Sequence, residues 1–380
     1  MKILHITTGL ENGGAEAILY RLVTGKRGGH THEVVSLMGE GYYRERLVNA
    51  GVSVHLLQMP RGQLTFSALF KLYRLIRSFN PDVIQTWMYH ADLVGGLVAR
   101  FSGKRTVVWG VHHSNLDPGK TPRSTRLVAR ICALISRFVP TKIICCSEQA
   151  ARVHIALGYN PSKMIVVHNG TDVLEFAPNS EGRARMRAEW QIGDNEVVLG
   201  MVARWDSQKD HANLVAASAY IKSRMLRPWR CMLIGPGMVD TNQEVVALLE
   251  KYEVRDYFHL LGARDDVSSV MNALDLHVLS SSGEAFGNVT IEAMSCGTPA
   301  VVTSVGAGAT IVGETGWVVR PSDPEALGAT ILKAIDAMAI PETWLKRKVA
   351  CRSRVVEHFS LAGMISAYHE AWETALAKTR

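Results

Sequence analysis

The chain has 380 residues, 47% of them hydrophobic and 20% charged, with a formal net charge of +7 at neutral pH. That length exceeds one ordinary core and predicts two domains, while the composition excludes a disordered or fibrous chain. No apolar run reaches the roughly 18 residues of a membrane span, and the start "MKILHITTGL" lacks a long h-region and a small-residue cleavage site, so a cytoplasmic protein is expected.

In chain order, "KILHIT" reads as a buried strand and "TGLENGGAEAILYRLV" as a glycine loop entering a helix. "HEVVSLM" and "VSVHLLQM" have strand length. "TFSALFKLYRLIRSFNP" carries apolar residues at helical spacing and should stop at Asn80-Pro81. "DVIQTWM" and "RTVVWGVHH" are strands flanking the helix "ADLVGGLVARFSG", and a basic helix over 123–138 leads to "KIICCS" and "MIVVHNG". Strands alternating with helices predict a parallel sheet covered on both faces.

At "HNGTDVLEFAPNSEGR" the chain turns polar and irregular, which sets a domain boundary near residue 175. The alternation then restarts with "EVVLGMVAR", a helix over 210–225, "RCMLIGPG", a helix near 242–252, "FHLLGA", a short helix over 266–273 and "LHVLSS". "PAVVTS", "GWVVR" and closing helices follow. The expected division is 1–175, 176–360 and a terminal helix over 361–380 that crosses back to the first domain. Two such halves should leave a cleft, with ligands bound beyond the carboxyl ends of the strands.

The six cysteines fall in neither CxxC nor Cys/His metal spacing, so buried free thiols are expected. Sequons at Asn169 and Asn288 stand alone as hints of export. Positive charge gathers in the first half, as in "RSTRLVARICALISRF", a pattern compatible with nucleic acid, an anionic lipid surface or a phosphorylated substrate.

The stretch "SSSGEAFGNVTIEAMSCGTPAVV" is the most informative. Its helix should begin near Asn288 and end at Gly297 and Pro299, offering the N–H groups of Phe286, Gly287 and Asn288 to a phosphate. Glu292 lies one turn inside on the same face and leans back toward that end. A carboxylate beside a phosphate site suits paired sugar hydroxyls, and Glu284 on the loop could take hydroxyls at the ligand's other end. Plainer readings are a dipole-stabilised Glu292 and a solvated Glu284.

Arg204 and Lys209 in "VARWDSQKD" follow a strand and could neutralise a diphosphate without a metal; alone they would pass for surface cations. "ENGGAE" brings backbone close to a ligand at Gly13 and Gly14, or is only a turn. His112 and His113 end a strand, where one could bond a hydroxyl or donate to a leaving phosphate, or serve structure alone. No Asp-x-Asp occurs, which weakens a magnesium-diphosphate reading, and no ligand spacing supports zinc.

Taken together, Glu284-x7-Glu292 with its "EAMSCGTP" tail, Arg204-x4-Lys209, "GGAE" and "HNGTD" resemble family 4 glycosyltransferases, across essentially the whole chain and in the family's order. The resemblance implies an α/β GT-B fold, two Rossmann-like doubly wound domains facing each other across a cleft. It implies a retaining enzyme that moves a hexose or N-acetylhexosamine from a nucleotide sugar, UDP-linked first of all, to a glycan or polyprenyl-linked acceptor in bacterial surface-polysaccharide or oligosaccharide synthesis. By the same resemblance Glu292 holds the ribose, Glu284 the donor sugar, and Arg204 with Lys209 the diphosphate, helped by Phe286, Gly287 and Asn288. Gly14 approaches the phosphates, His112 or its neighbour His113 meets the donor sugar, and the base rests near Gly235 and Arg264. No metal and no cofactor are implied.

Two departures stand out: Ala203 and Asp210 occupy positions where the family often has glycine. Competing readings are a nucleotide-sugar 2-epimerase, for which no clear proton-abstracting set is visible, and a non-catalytic sugar-nucleotide-binding protein. A dehydrogenase lacks its GxGxxG, and nucleic acid is set aside as a partner. Arg123, Arg126 and Arg130 beside Leu127 and Ile131 suggest peripheral attachment to the inner face of the cytoplasmic membrane.

Overall fold

The computed structural model describes residues 1–25, 29–60, 62–116, 119 and 121–379. The chain divides into two compact units, one of Met1–Gly170 with Leu361–Arg380, the other Thr171–Ser360.

The first unit opens with β1 (Lys2–Thr7), α1 (Gly14–Thr24), β2 (Thr31–Ser36), α2 (Tyr42–Asn49) and β3 (Ser53–Leu56). It continues through α3 (Phe66–Phe79), β4 (Val83–Trp87), α4 (Met88–Phe101), β5 (Val107–Val111) and α5 (Arg123–Ile135). β6 (Lys142–Cys145), α6 (Glu148–Leu157) and β7 (Met164–Val166) complete its sheet, a seven-stranded one in the order β3-β2-β1-β4-β5-β6-β7.

The second unit contains α7 (Ser180–Glu189), β8 (Val197–Val202), α8 (His211–Lys222), β9 (Trp229–Ile234), α9 (Gln243–Lys251) and β10 (Phe258–Leu260). Then come α10 (Val267–Ala273), β11 (Leu276–Leu279), α11 (Asn288–Ser295), β12 (Ala300–Thr303), α12 (Gly308–Val312) and β13 (Trp317–Val319). Two longer helices, α13 (Pro324–Ala337) and α14 (Pro341–His358), close it, and α15 (Leu361–Ala377) belongs to the first unit. The six strands run in the order β10-β9-β8-β11-β12-β13.

Every strand pairing described is parallel, and β1, β4, β5, β8 and β11 are buried almost throughout, as sheets covered on both faces require. In each sheet the strand order reverses once, between β1 and β4 and between β8 and β11. Such reversals part the loops at the carboxyl ends and leave room for a ligand.

The cores follow from the pattern. In the first unit, Ile3, Ile18, Leu22 and Val34 pack with Met364, Ile365 and Trp372 of α15. The Trp372 indole donates to Gln85 Oε1 at 2.9 Å, so the returning helix is tied to β4 by a buried hydrogen bond as well as by apolar area. All six cysteines are free and buried. The units part between Gly170 and Thr171 rather than near residue 175. The stretch read as irregular, most of which opens the second unit, turns helical at Ser180, because the Asn179 side chain accepts from the Gly182 N–H and starts α7. The basic helix expected over 123–138 ends at Ile135.

Candidate active site

The second unit gathers most of the sequence-derived candidates at the carboxyl ends of β8, β9, β10 and β11. Arg204 and Lys209 follow β8, Gly235 follows β9, Arg264 follows β10, and Glu284 follows β11. β8 and β11 are the strands at which the order reverses. Their loops are laced together: the Ser282 N–H donates to Gln208 O at 2.8 Å, and the Ser280 hydroxyl donates to Asp210 O at 2.9 Å. Across that seam Lys209 Nζ meets Glu284 Oε2 at 2.5 Å, with both side chains mostly buried. Sequence reading assigned these two residues to different parts of a ligand; in the structure they hold each other.

Arg204 is half exposed and directs Nε and Nη2 to Asp206 Oδ2 at 3.3 and 3.1 Å. Burial alone would raise the Asp206 carboxyl, but the Gln208 N–H, Arg204 and Lys209 outweigh it and hold the group below its ordinary range. Asp206 was not singled out from the sequence, although its place two residues after Arg204 was a usable signal. Arg204 and Lys209 are thus each held by a carboxylate, Asp206 and Glu284 respectively.

Asp210, where the related pattern has glycine, takes the left-handed conformation a glycine would supply, with φ 50°. Its side chain caps α8 by accepting from the Asn213 N–H at 3.2 Å and receives the Ser322 hydroxyl at 2.9 Å. Aspartate tolerates that region better than most residues because its short polar chain bonds locally. Ala203 needs no such freedom; its carbonyl is approached so closely by Gly235 that a Cβ there would lie 2.3 Å from the oxygen. Gly235 also has φ 142°, so this crossing of the β8 and β9 exits demands glycine.

α11 begins at Asn288 with Gly287 as its N-cap at φ 101°. Phe286 is buried edge-on against Phe359, their ring centres 6.0 Å apart. Glu292 lies one turn into α11 and is buried within this helix. Arg264 is ion-paired as well: its guanidinium donates to Asp266 at 2.7 and 2.8 Å and to Glu189 at 2.9 Å, which fixes the loop after β10.

In the first unit, Gly14 is the exposed first residue of α1, just beyond β1. His112 follows β5 and is buried under the Trp87 ring, stacked at 5.1 Å between centres, while Nε2 lies 3.4 Å from the Tyr368 hydroxyl of α15. Burial drives its pKa down to about 4, so the ring is neutral near pH 7. His113 is engaged differently, with Nε2 3.3 Å from the Thr121 hydroxyl and its ring edge-on to Tyr89. Trp87 and Tyr368, the immediate surroundings of His112, carried no recognisable sequence signal because they arrive from β4 and from the far end of the chain.

Comparison with known proteins identifies the family and the fold. A family model described as Glycosyltransferase Family 4 matches residues 12–174, and one described as Glycosyl transferases group 1 matches residues 196–337. The chain is 24% identical over 298 residues to the UDP-Gal:alpha-D-GlcNAc-diphosphoundecaprenol alpha-1,3-galactosyltransferase of Escherichia coli, covering 77% of this chain and 76% of that one. It is 25% identical over 306 residues to the capsular polysaccharide biosynthesis glycosyltransferase CapM of Staphylococcus aureus, covering 76% and 77%. The crystal structure of Anabaena HepE in complex with UDP superposes with a TM-score of 0.85 at 21% identity, over 98% of this chain and 100% of that one.

Proposed function

The chain belongs to the family 4 glycosyltransferases and has their GT-B fold, and from that premise we propose that it is a retaining enzyme using a UDP-hexose or UDP-N-acetylhexosamine as donor. The acceptor in this reading is a glycan or polyprenyl-linked glycan of bacterial surface-polysaccharide or oligosaccharide synthesis, met at the inner face of the cytoplasmic membrane. The names of the E. coli and S. aureus relatives, and the UDP bound to HepE, support that choice.

One observation carries it: Lys209 and Glu284 are paired where the β8–β11 order reverses, with Arg204 on the same loop. On donor binding, Lys209 and Arg204 turn from Glu284 and Asp206 to the diphosphate. Glu284 is released to accept hydroxyl protons of the sugar, and Glu292 accepts those of the ribose. The start of α11 at Gly287 and Asn288, with Phe286 before it, faces the phosphates, and the base rests near Gly235 and Arg264. The neutral His112 bonds a donor-sugar hydroxyl, and Gly14 approaches the phosphates.

Chemically, the bond from the anomeric carbon to the diphosphate oxygen breaks and its electron pair stays on that oxygen. Once donor binding has turned the two cations to the diphosphate, they stabilise the charge that grows on it as the bond breaks. The acceptor hydroxyl attacks the same face of the anomeric carbon and its proton passes to the leaving phosphate, so configuration is retained. Arg204 and Lys209 supply the neutralising charge, and the reading therefore includes no metal or other cofactor. A thermal-shift screen of UDP-, GDP- and ADP-sugars followed by donor-hydrolysis assays tests it: UDP-sugars should stabilise and be hydrolysed, and preference for a different nucleotide would contradict the donor assignment.

A further inference from the structure

The first unit carries a surface that the site above does not use. α3 buries Ala68, Leu72 and Ile76 and turns its opposite side to solvent. That outer side holds Phe66, 91% exposed, Phe70, 62% exposed, and Tyr73, whose ring stacks on Phe70 at 6.5 Å. Spacings of four and three residues put the three rings in one stripe, with Arg77 continuing it one turn on and Lys71 and Arg74 beside it. Exposing three aromatic rings in line on a helix costs apolar hydration that a monomer avoids unless the stripe is used.

A second such face lies nearby, because α3 and α5 both pack against α4. α5 presents Leu127, Leu134 and, just beyond its end, Phe138 to solvent, interleaved with exposed Arg123, Arg130 and Arg137. Phe101 at the end of α4 is exposed too, and Arg100 in the same turn donates to the Phe138 carbonyl. The expectation from sequence that Arg126 and Ile131 share this outer face is corrected: both are half-buried. α3 and α5 contain no Asp or Glu, and the one on α4, Asp92, is buried. Among the described residues no carboxylate pairs with Arg74, Arg77, Arg123, Arg130 or Arg137.

We propose that the outer faces of α3 and α5 form a docking surface for an anionic phospholipid bilayer, with Phe66, Phe70 and Tyr73 entering the interface. Charge complementarity decides the occupant. Unpaired arginines spread along two helices match a plane of phosphate headgroups, and the rings between them match the acyl boundary below. No described helix is long and apolar enough to cross a membrane, so attachment is from one side and reversible. The inference extends the reading of a membrane-borne acceptor, yet its test is separable from that reading.

The full chain is floated with phosphatidylcholine vesicles and with phosphatidylcholine–phosphatidylglycerol vesicles, at low and high salt. Recovery should require the anionic lipid and fall with salt. Arg123→Glu/Arg130→Glu should weaken binding at least about 30-fold, the equivalent of two cations at ~1 kcal/mol each. Phe66→Ser/Phe70→Ser, at exposed positions that folding does not need, should abolish flotation while donor hydrolysis in lipid-free buffer stays unchanged. Equal recovery on both vesicle types overturns the proposal. So does a concentration-dependent dimer that the Phe66→Ser/Phe70→Ser variant dissolves, since the stripe would then cover a second copy. Hydrolysis of a nucleotide sugar without vesicle binding refutes the surface alone, and vesicle binding without hydrolysis refutes the donor reading alone.

Discussion

Lys209 and Glu284 lie 75 residues apart in sequence and 2.5 Å apart in space, joined across the point where the second sheet reverses its strand order. A mostly buried ion pair of this kind is weak evidence for stability, because desolvation offsets much of the attraction. What the pair does fix is position: each side chain holds the other across the seam, and in the function proposed above an incoming diphosphate takes the place of the carboxylate at the ammonium.

Lys209→Ala should therefore lower kcat by about 100- to 1,000-fold, the usual cost of one preorganised charge donor, while affinity for the intact donor changes less. Steady-state kinetics with a UDP-sugar would measure it. Undiminished turnover removes Lys209 from the site. Wild-type turnover should also survive EDTA, and a strict metal requirement would contradict the two-cation account.

Replacing both partners should hurt less than the sum of the single changes. Glu284→Gln leaves the Lys209 ammonium mostly buried without its carboxylate, whereas Lys209→Met/Glu284→Gln removes the charge as well. Denaturant unfolding of both single variants and the double variant closes this cycle. Strict additivity would mean that the contact at 2.5 Å carries no coupling.

Asp210 combines a left-handed backbone with a helix cap, and the two can be separated. Asp210→Ala forfeits both and should cost about 2 kcal/mol, a cap at ~1 and the φ penalty at ~1. Asp210→Gly keeps the left-handed backbone without strain and, because glycine is itself a fair N-cap, should cost only roughly 0.3 kcal/mol. Equal losses in urea titrations would show that the backbone conformation is not strained.

Acid should destabilise the protein through histidines buried in the neutral form. His32, His112, His154, His211 and His277 are each lowered to about 4, with burial the leading cause in every case. A folded pKa below the unfolded value means that the unfolded chain binds more protons, so stability is complete above about 6.5 and falls as pH drops toward about 4. The slope is at most about 1.4 kcal/mol per pH unit for each histidine. Melting temperatures taken from pH 7 to pH 4 should drop steadily, and a flat profile would show that these rings bind protons equally well in both states.

The parallel sheets were legible in the sequence because buried strands such as "VVLGMV" and "VIQTW" are short apolar runs punctuated by glycine, proline and helical spacing. Arg204, Lys209 and Glu284 were legible as residues, since charge just after a buried strand is conspicuous, and Glu292 because it stands one turn inside a helix that a glycine loop begins. Their partners were not. Asp206 and Glu284 neutralise the cations through turn geometry and through a pairing of distant loops, neither of which periodicity encodes. α7 was missed because Asn179 sits in a polar stretch with no apolar stripe to announce a helix. For His112, the Trp87 and Tyr368 contacts depend on a helix that returns from the end of the chain.

The most direct test of the central claim is calorimetric titration of UDP into the wild-type protein and into Glu292→Gln. Glu292 is buried in α11, and its charged carboxylate is assigned to the ribose hydroxyls. Losing that charged acceptor should weaken binding by about 1–3 kcal/mol, roughly 5- to 150-fold in Kd, with the thermal unfolding curve of the free protein little changed. An unchanged Kd for UDP in a folded Glu292→Gln protein would contradict the account.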